Sequence, residues 1–137
     1  LKKQFKVQTQ WSSSDPFSNA KTHSVRIENK DSLTVSAAKV FKGDDSKYNP
    51  EDLFLSALSS CHMMSYMYLC EKHHITLVEY TDETLGTLVI KADGSGSFTE
   101  ISINPTVTIL ESDKLDLALR LHAEANRLCF IANSCSV

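Results

Sequence analysis

A chain of 137 residues fits one domain, expected to span residues 1–137, and leaves little room for a second. Its 42% hydrophobic and 23% charged residues are enough for a core and argue against disorder. A net charge of −3 without any basic run makes nucleic acid a poor partner. No segment reaches the ~18 consecutive apolar residues of a membrane span. No apolar leader core follows Leu1-Lys2-Lys3-Gln4, so the expected compartment is the cytoplasm. There the four cysteines, Cys61, Cys70, Cys129 and Cys135, are expected to be reduced and to serve packing or chemistry rather than a disulfide framework.

Phe5, Val7, Thr9 and Trp11 alternate with polar residues and predict a strand, which Ser12 to Pro16 breaks. His23–Glu28 predicts a second strand and Leu33–Ala38 a third, joined by a turn at Asn29-Lys30-Asp31. Lys42–Lys47 is polar loop. Asn49-Pro50-Glu51-Asp52 then carries a capping residue, Pro at the first helical position and two first-turn acids. Asn49 and Asp52 have capping-box spacing. The helix is expected to run from Pro50 to about His73, with apolar residues on most sides and hence burial on most sides. Ile75–Ala92 predicts one or two strands, Asp93–Ser97 a turn, and Phe98–Leu110 a further strand region that Pro105 breaks or places at an edge. Ser112 is the expected cap of a second helix over Asp113–Leu128, with Leu115, Ala118, Leu119, His122 and Ala125 on one face. Strands, helix, strands, helix without regular βαβ alternation is an α+β order.

Cys61 falls mid-helix, where an inert core thiol is the ordinary reading. A reactive cysteine needs a nearby cation or a helix N-terminus. Cys61 lies about 18 Å from the start of its helix, and the dipole fades within the first turn. The cation must therefore come from another element. Arg26 and Lys21, on and just before the second strand, are the candidates, although either would also serve as an ordinary surface charge. Glu51 would orient such a cation, or would simply complement the helix dipole. Glu51 and Cys61 are roughly 15 Å apart on an intact helix. If they cooperate, Glu51 comes from a second copy with an antiparallel helix, which implies a two-fold dimer with composite sites. Cys129, closing the second helix, is either a core residue or a resolving thiol. Cys70 lies on the opposite face of the helix from Cys61, out of disulfide reach. Cys70 and His73 have metal-ligand spacing but no matching second pair, so no metal is expected.

Asn49-Pro50-Glu51 followed by Leu53, Ala57 and Ser60-Cys61-His62-Met63 resembles the central helix of OsmC/Ohr proteins. Ala125 followed by Cys129-Phe130-Ile131-Ala132-Asn133-Ser134 resembles their second-cysteine segment. The resemblance implies antiparallel sheets around a long buried central helix, in an intertwined homodimer with two interfacial sites. It implies that Cys61 is the peroxidatic thiol, that Cys129 resolves it as a disulfide, and that Glu51 orients a basic residue. It further implies an organic hydroperoxide substrate and a dithiol reductant of lipoyl type, with no cofactor. Two departures stand out. Lys21 occupies the position, two residues before His23, where the related branch often has Arg, and Asn126 replaces a His near the second cysteine. Phe54, Met63, Met64 and Met67 are candidates for an apolar substrate pocket, or only for core. The alternatives are a redox-sensing or ligand-binding dimer on the same scaffold, and a structural domain with inert thiols.

Overall fold

In the computed structural model, which describes residues 1–16 and 21–137, three strands are followed by a long helix, four strands and a second helix. The pairings are antiparallel in all three sheets, giving the expected α+β class. Residues 1–54 and 55–137 form two compact units. Among the described residues no helix is long and apolar enough to cross a membrane.

In the first unit β1 (Gln8–Gln10), β2 (His23–Arg26) and β3 (Leu33–Val35) pair in the order 1-2-3, with Thr9 opposite Val25 and Ser24 opposite Thr34. These strands are shorter than the alternation predicts. Phe5 is 94% exposed, and Val7 and Trp11 are exposed too, so the pattern forms ladder only where β2 supplies a partner. The turn after β2 closes through Lys30 N–H to Ile27 O at 3.1 Å, with Asn29 left-handed at φ 63°. β3 stops at Val35 because the next amide, of Ser36, donates instead to Tyr48 O at 2.8 Å.

Helix α1 runs from Pro50 to Lys72. Its start is the predicted reciprocal box. Asp52 N–H donates to Asn49 Oδ1 at 2.9 Å, and Asn49 N–H reaches back to Asp52 Oδ2 at 3.4 Å. Its end has no glycine. His74 takes the left-handed conformation (φ 56°), its N–H bonds Glu71 O, the Ile75 N–H bonds Cys70 O, and Ile75 is buried. That is a Schellman stop made by a histidine. Lys114 Nζ donates to the carbonyls of His73 and His74 at 3.1 and 3.3 Å. The buried stripe of α1 is Leu58, His62, Tyr66, Leu69 and Cys70, while Met64, Met67 and Tyr68 are exposed. The burial expected on most sides is met within this chain along one stripe.

The second unit contains a long two-stranded ribbon. β4 (Leu77–Asp82) pairs with β7 (Pro105–Ile109), and β5 (Leu85–Ile90) pairs with β6 (Gly96–Ser102). Register carries through the gap, from Asp82 opposite Pro105 to Leu85 opposite Ser102. Pro105 heads β7, where a missing N–H costs least. The core joins Tyr66, Leu69 and Cys70 of α1 to Ile75 and to Ala118, Leu121 and Ala125 of the second helix.

That helix, α2, spans Leu115–Leu128 and is preceded by a 3-10 turn at Ser112–Lys114. Ser112 is not its cap: Lys114 holds the cap position with no side-chain bond. The predicted face also shifts. Ala118, Leu121 and Ala125 are buried, whereas Leu115 and Leu119 are 61% and 73% exposed. The core takes the narrow i, i+3, i+7 stripe and leaves its apolar flank outside.

Candidate functional site

Cys61 is half-buried on α1, and Cys129 is fully buried at the residue that closes α2. The structure brings the two thiols close enough for each to feel the other's charge. A 3-10 turn at Ala132–Ser134 follows Cys129 and folds back over it. The Ala132 N–H donates to Cys129 Sγ at 3.4 Å, and the Asn133 N–H donates to Cys129 O at 3.0 Å. Burial pushes the Cys129 thiol up, the Ala132 amide opposes that, and the Cys61 thiol adds to the rise. Cys129 therefore rests as a protonated thiol, held by a turn whose composition, Phe130 to Ser134, is local to it.

The other two cysteines stand apart. Cys70 is buried in the core beside the Tyr66 phenol; burial dominates, and its thiol is also pushed up. Cys135 is half-buried and donates to Ile131 O at 3.0 Å.

Glu51, Lys21 and Arg26 belong to the first unit. Glu51 lies in the first turn of α1, where Asp52 has taken the capping role, and its Oε2 is buried with no hydrogen-bond partner among the described residues. Lys21 is exposed, takes a left-handed backbone (φ 63°), and donates from Nζ to Phe41 O at 3.1 Å. Arg26 is exposed at the end of β2, on a polar cleft of about 530 Å³ that it shares with Thr22, His23 and Lys47. Among the described residues no group of three or more His, Cys, Asp or Glu side chains is placed to hold a metal ion.

Sequence reasoning missed a polar network between the two helices and the ribbon. His62 Nε2 and His122 Nδ1 face each other at 3.2 Å, bridging α1 and α2. Tyr66 stacks on His122 with ring centroids 4.1 Å apart and donates its hydroxyl to Ala118 O at 2.8 Å. Asp82 fills the gap in the ribbon. It accepts from Ser59 Oγ at 2.6 Å, from Asn104 N–H at 2.7 Å and from the Thr84 hydroxyl. Burial pushes the Asp82 carboxyl up, but the donors together take it below its ordinary value. Burial pushes His62 down, with Asp82 opposing, and burial pushes His122 down, with His62 adding to the fall. Both rings are neutral at pH 7. A pair of histidines 60 positions apart leaves no periodic trace in a sequence, so only the apolar stripe around His62 hinted at its burial.

A profile of the OsmC family, OsmC-like protein, matches residues 43–136. The chain belongs to the OsmC-like family. Among curated proteins none matches the sequence. Among solved structures, an OsmC-like protein of unknown function from Vibrio cholerae is similar at 25% identity and TM-score 0.86, over 99% of this chain and 96% of that one. An organic hydroperoxide resistance protein from Elizabethkingia anophelis is similar in fold at 17% identity and TM-score 0.72, over 98% and 90%. An organic hydroperoxide resistance protein OsmC from Legionella pneumophila is similar at 14% identity and TM-score 0.72, over 97% and 90%. The α+β, OsmC-like fold expected from the two cysteine motifs is the fold found.

Proposed function

We propose that this OsmC-like protein is a cytoplasmic thiol peroxidase that reduces organic hydroperoxides to alcohols. The observation that carries the reading is the proximity of the Cys61 and Cys129 thiols, with Cys129 buried under its own turn. In the proposed cycle the Cys61 thiolate attacks the distal oxygen of ROOH. The O–O bond breaks, the alkoxide takes a proton and leaves as ROH, and the sulfur is oxidised to a sulfenic acid. The Cys129 sulfur then bonds to the Cys61 sulfur, and the hydroxyl leaves with the thiol proton as water. A dithiol, of lipoyl type in the resemblance, reduces the disulfide by exchange. Because Cys129 holds its proton in the resting protein, it does not compete with Cys61 for peroxide.

In this reading Glu51 orients Lys21 or Arg26 beside the thiolate of a second copy, forming a homodimer with two composite sites. Three features support that. A buried carboxylate oxygen without a donor, such as Glu51 Oε2, costs free energy until a donor arrives. The distance along one helix keeps Glu51 from its own Cys61. And Met64, Met67 and Tyr68 leave an apolar face of α1 exposed. Such a face also favours alkyl over hydrogen peroxide, since only the former buries apolar area.

Intact-mass analysis after one equivalent of cumene hydroperoxide tests the proposal. The expected product has lost two hydrogens, mapped by peptide digestion to a Cys61–Cys129 bridge, and Cys61→Ser abolishes both the bridge and dithiol-dependent turnover. Oxidation at Cys70 or Cys135 alone, or no oxidation, rejects the reading. A single oxidation without turnover identifies a sensor instead.

A further inference from the structure

The His62–His122 pair borders a half-open cavity of about 680 Å³ in the second unit. Its walls include Ile101, Ile103, Pro105 and Leu119, with Asn104, Thr106, Asn126 and the histidine pair as polar groups. Leu119, His122 and Asn126 share one face of α2 by their spacing. A second cavity of about 230 Å³ uses the same Ile101, Ile103 and Asn126, and reaches Leu58 and Val137. The larger volume falls in the range of small-molecule sites, roughly 300–1,000 Å³. Among the described residues, no Lys, Arg, Asp or Glu lines the larger cavity.

The protons of the histidine pair can be placed. The rings are parallel to within 7°, with centroids 5.5 Å apart and nitrogens 3.2 Å apart, so the two nitrogens point straight at one another across a single hydrogen bond. That head-on geometry leaves no room for a metal ion between them. His62 is only 6% exposed, and its Nδ1 is buried with no partner among the described residues. If His122 were the donor, His62 would have to carry its proton on Nδ1 and bury an unpaired N–H. With the proton on His62 Nε2, only a bare lone pair is buried, which is the cheaper defect. His62 therefore donates to His122 Nδ1, and the remaining His122 proton sits on Nε2 of a half-exposed ring that lines the cavity.

We propose that this cavity binds an aliphatic alcohol, its hydroxyl accepting from His122 Nε2–H and donating to the Asn126 side-chain oxygen, with the alkyl chain against Ile101, Ile103 and Leu119. A neutral head suits a wall without cations, near the carboxylate of Asp82. The site does not depend on the peroxidase reading, because binding requires neither Cys61 nor Cys129.

The test is a histidine-side-chain nitrogen NMR titration of the reduced full-length protein with n-hexanol, with n-hexanoate as the charged control. The Nε2–H tautomer is expected on both His62 and His122. The His122 signals should shift to saturation while those of His73 and His74 stay fixed. Hexanoate should bind at least about tenfold more weakly, because its carboxylate loses water without gaining a cation. Leu119→Asp, at an exposed rim position, should weaken hexanol binding without moving the unfolding midpoint. The proposal is overturned by an Nδ1–H tautomer on His122, by the absence of saturable shifts, by hexanoate binding as tightly as hexanol, or by Leu119→Asp leaving hexanol affinity unchanged. A protein that passes here yet forms no Cys61–Cys129 disulfide keeps the alcohol site and loses the peroxidase.

Discussion

Asp82→Asn isolates the device that joins α1 to the broken ribbon. The carboxylate takes three donors, from Ser59 on the helix, Thr84 in the gap before the next strand and the Asn104 amide left out of the ladder. Hydrogen bonds to a charged acceptor contribute about 1.5–3 kcal/mol each. The substituted amide offers one acceptor oxygen and turns an NH₂ group toward at least one of those donors. Losing one bond outright and the charge of the others predicts destabilisation of about 2–4 kcal/mol, toward the lower end because Asp82 is half-buried. Urea unfolding followed by circular dichroism, at fixed protein concentration, measures it. The pH dependence adds a second check. The folded carboxyl titrates below its ordinary 3.8, so its contribution is complete above that value and is lost as pH falls through the folded value. The gap between wild type and Asp82→Asn should be full at neutral pH and close in strong acid. A neutral-pH difference under about 0.5 kcal/mol, the scale of an indifferent surface change, would refute the reasoning, as would a gap that persists in acid.

Further outcomes follow from the same geometry. His62 and His122 both titrate below their ordinary 6.5 in the fold, so the unfolded chain binds more protons near that pH. Stability should be fully present above pH 6.5 and decline as pH falls below it, and unfolding midpoints measured across that window in wild type and His122→Asn should show the slope flattened in the variant. Asn49→Ala should cost about 1 kcal/mol in chemical denaturation by removing the acceptor for the Asp52 amide. Ser112→Ala should change stability by less than about 0.5 kcal/mol, since Ser112 makes no cap bond; a loss equal to that of Asn49→Ala would mean the cap assignment is wrong.

What the sequence determined by itself was short-range. Asn49 and Asp52 three positions apart specify where α1 begins, alternation and turn residues specify the order of strands, and two cysteine motifs specify the family. Each depends on neighbours within a turn or two of chain, where backbone geometry alone brings groups together. The tertiary structure decided the rest. α1 stops at a histidine rather than a glycine because Ile75 finds a buried seat and Lys114 caps the carbonyls. α2 buries Leu121 rather than Leu119 because the core it meets is narrow. Cys61 reaches the neighbourhood of Cys129, and His62 reaches His122, only because two helices distant in sequence pack in one core against the same ribbon. Contacts of that range are set by how whole elements pack, and no local pattern of residues encodes them.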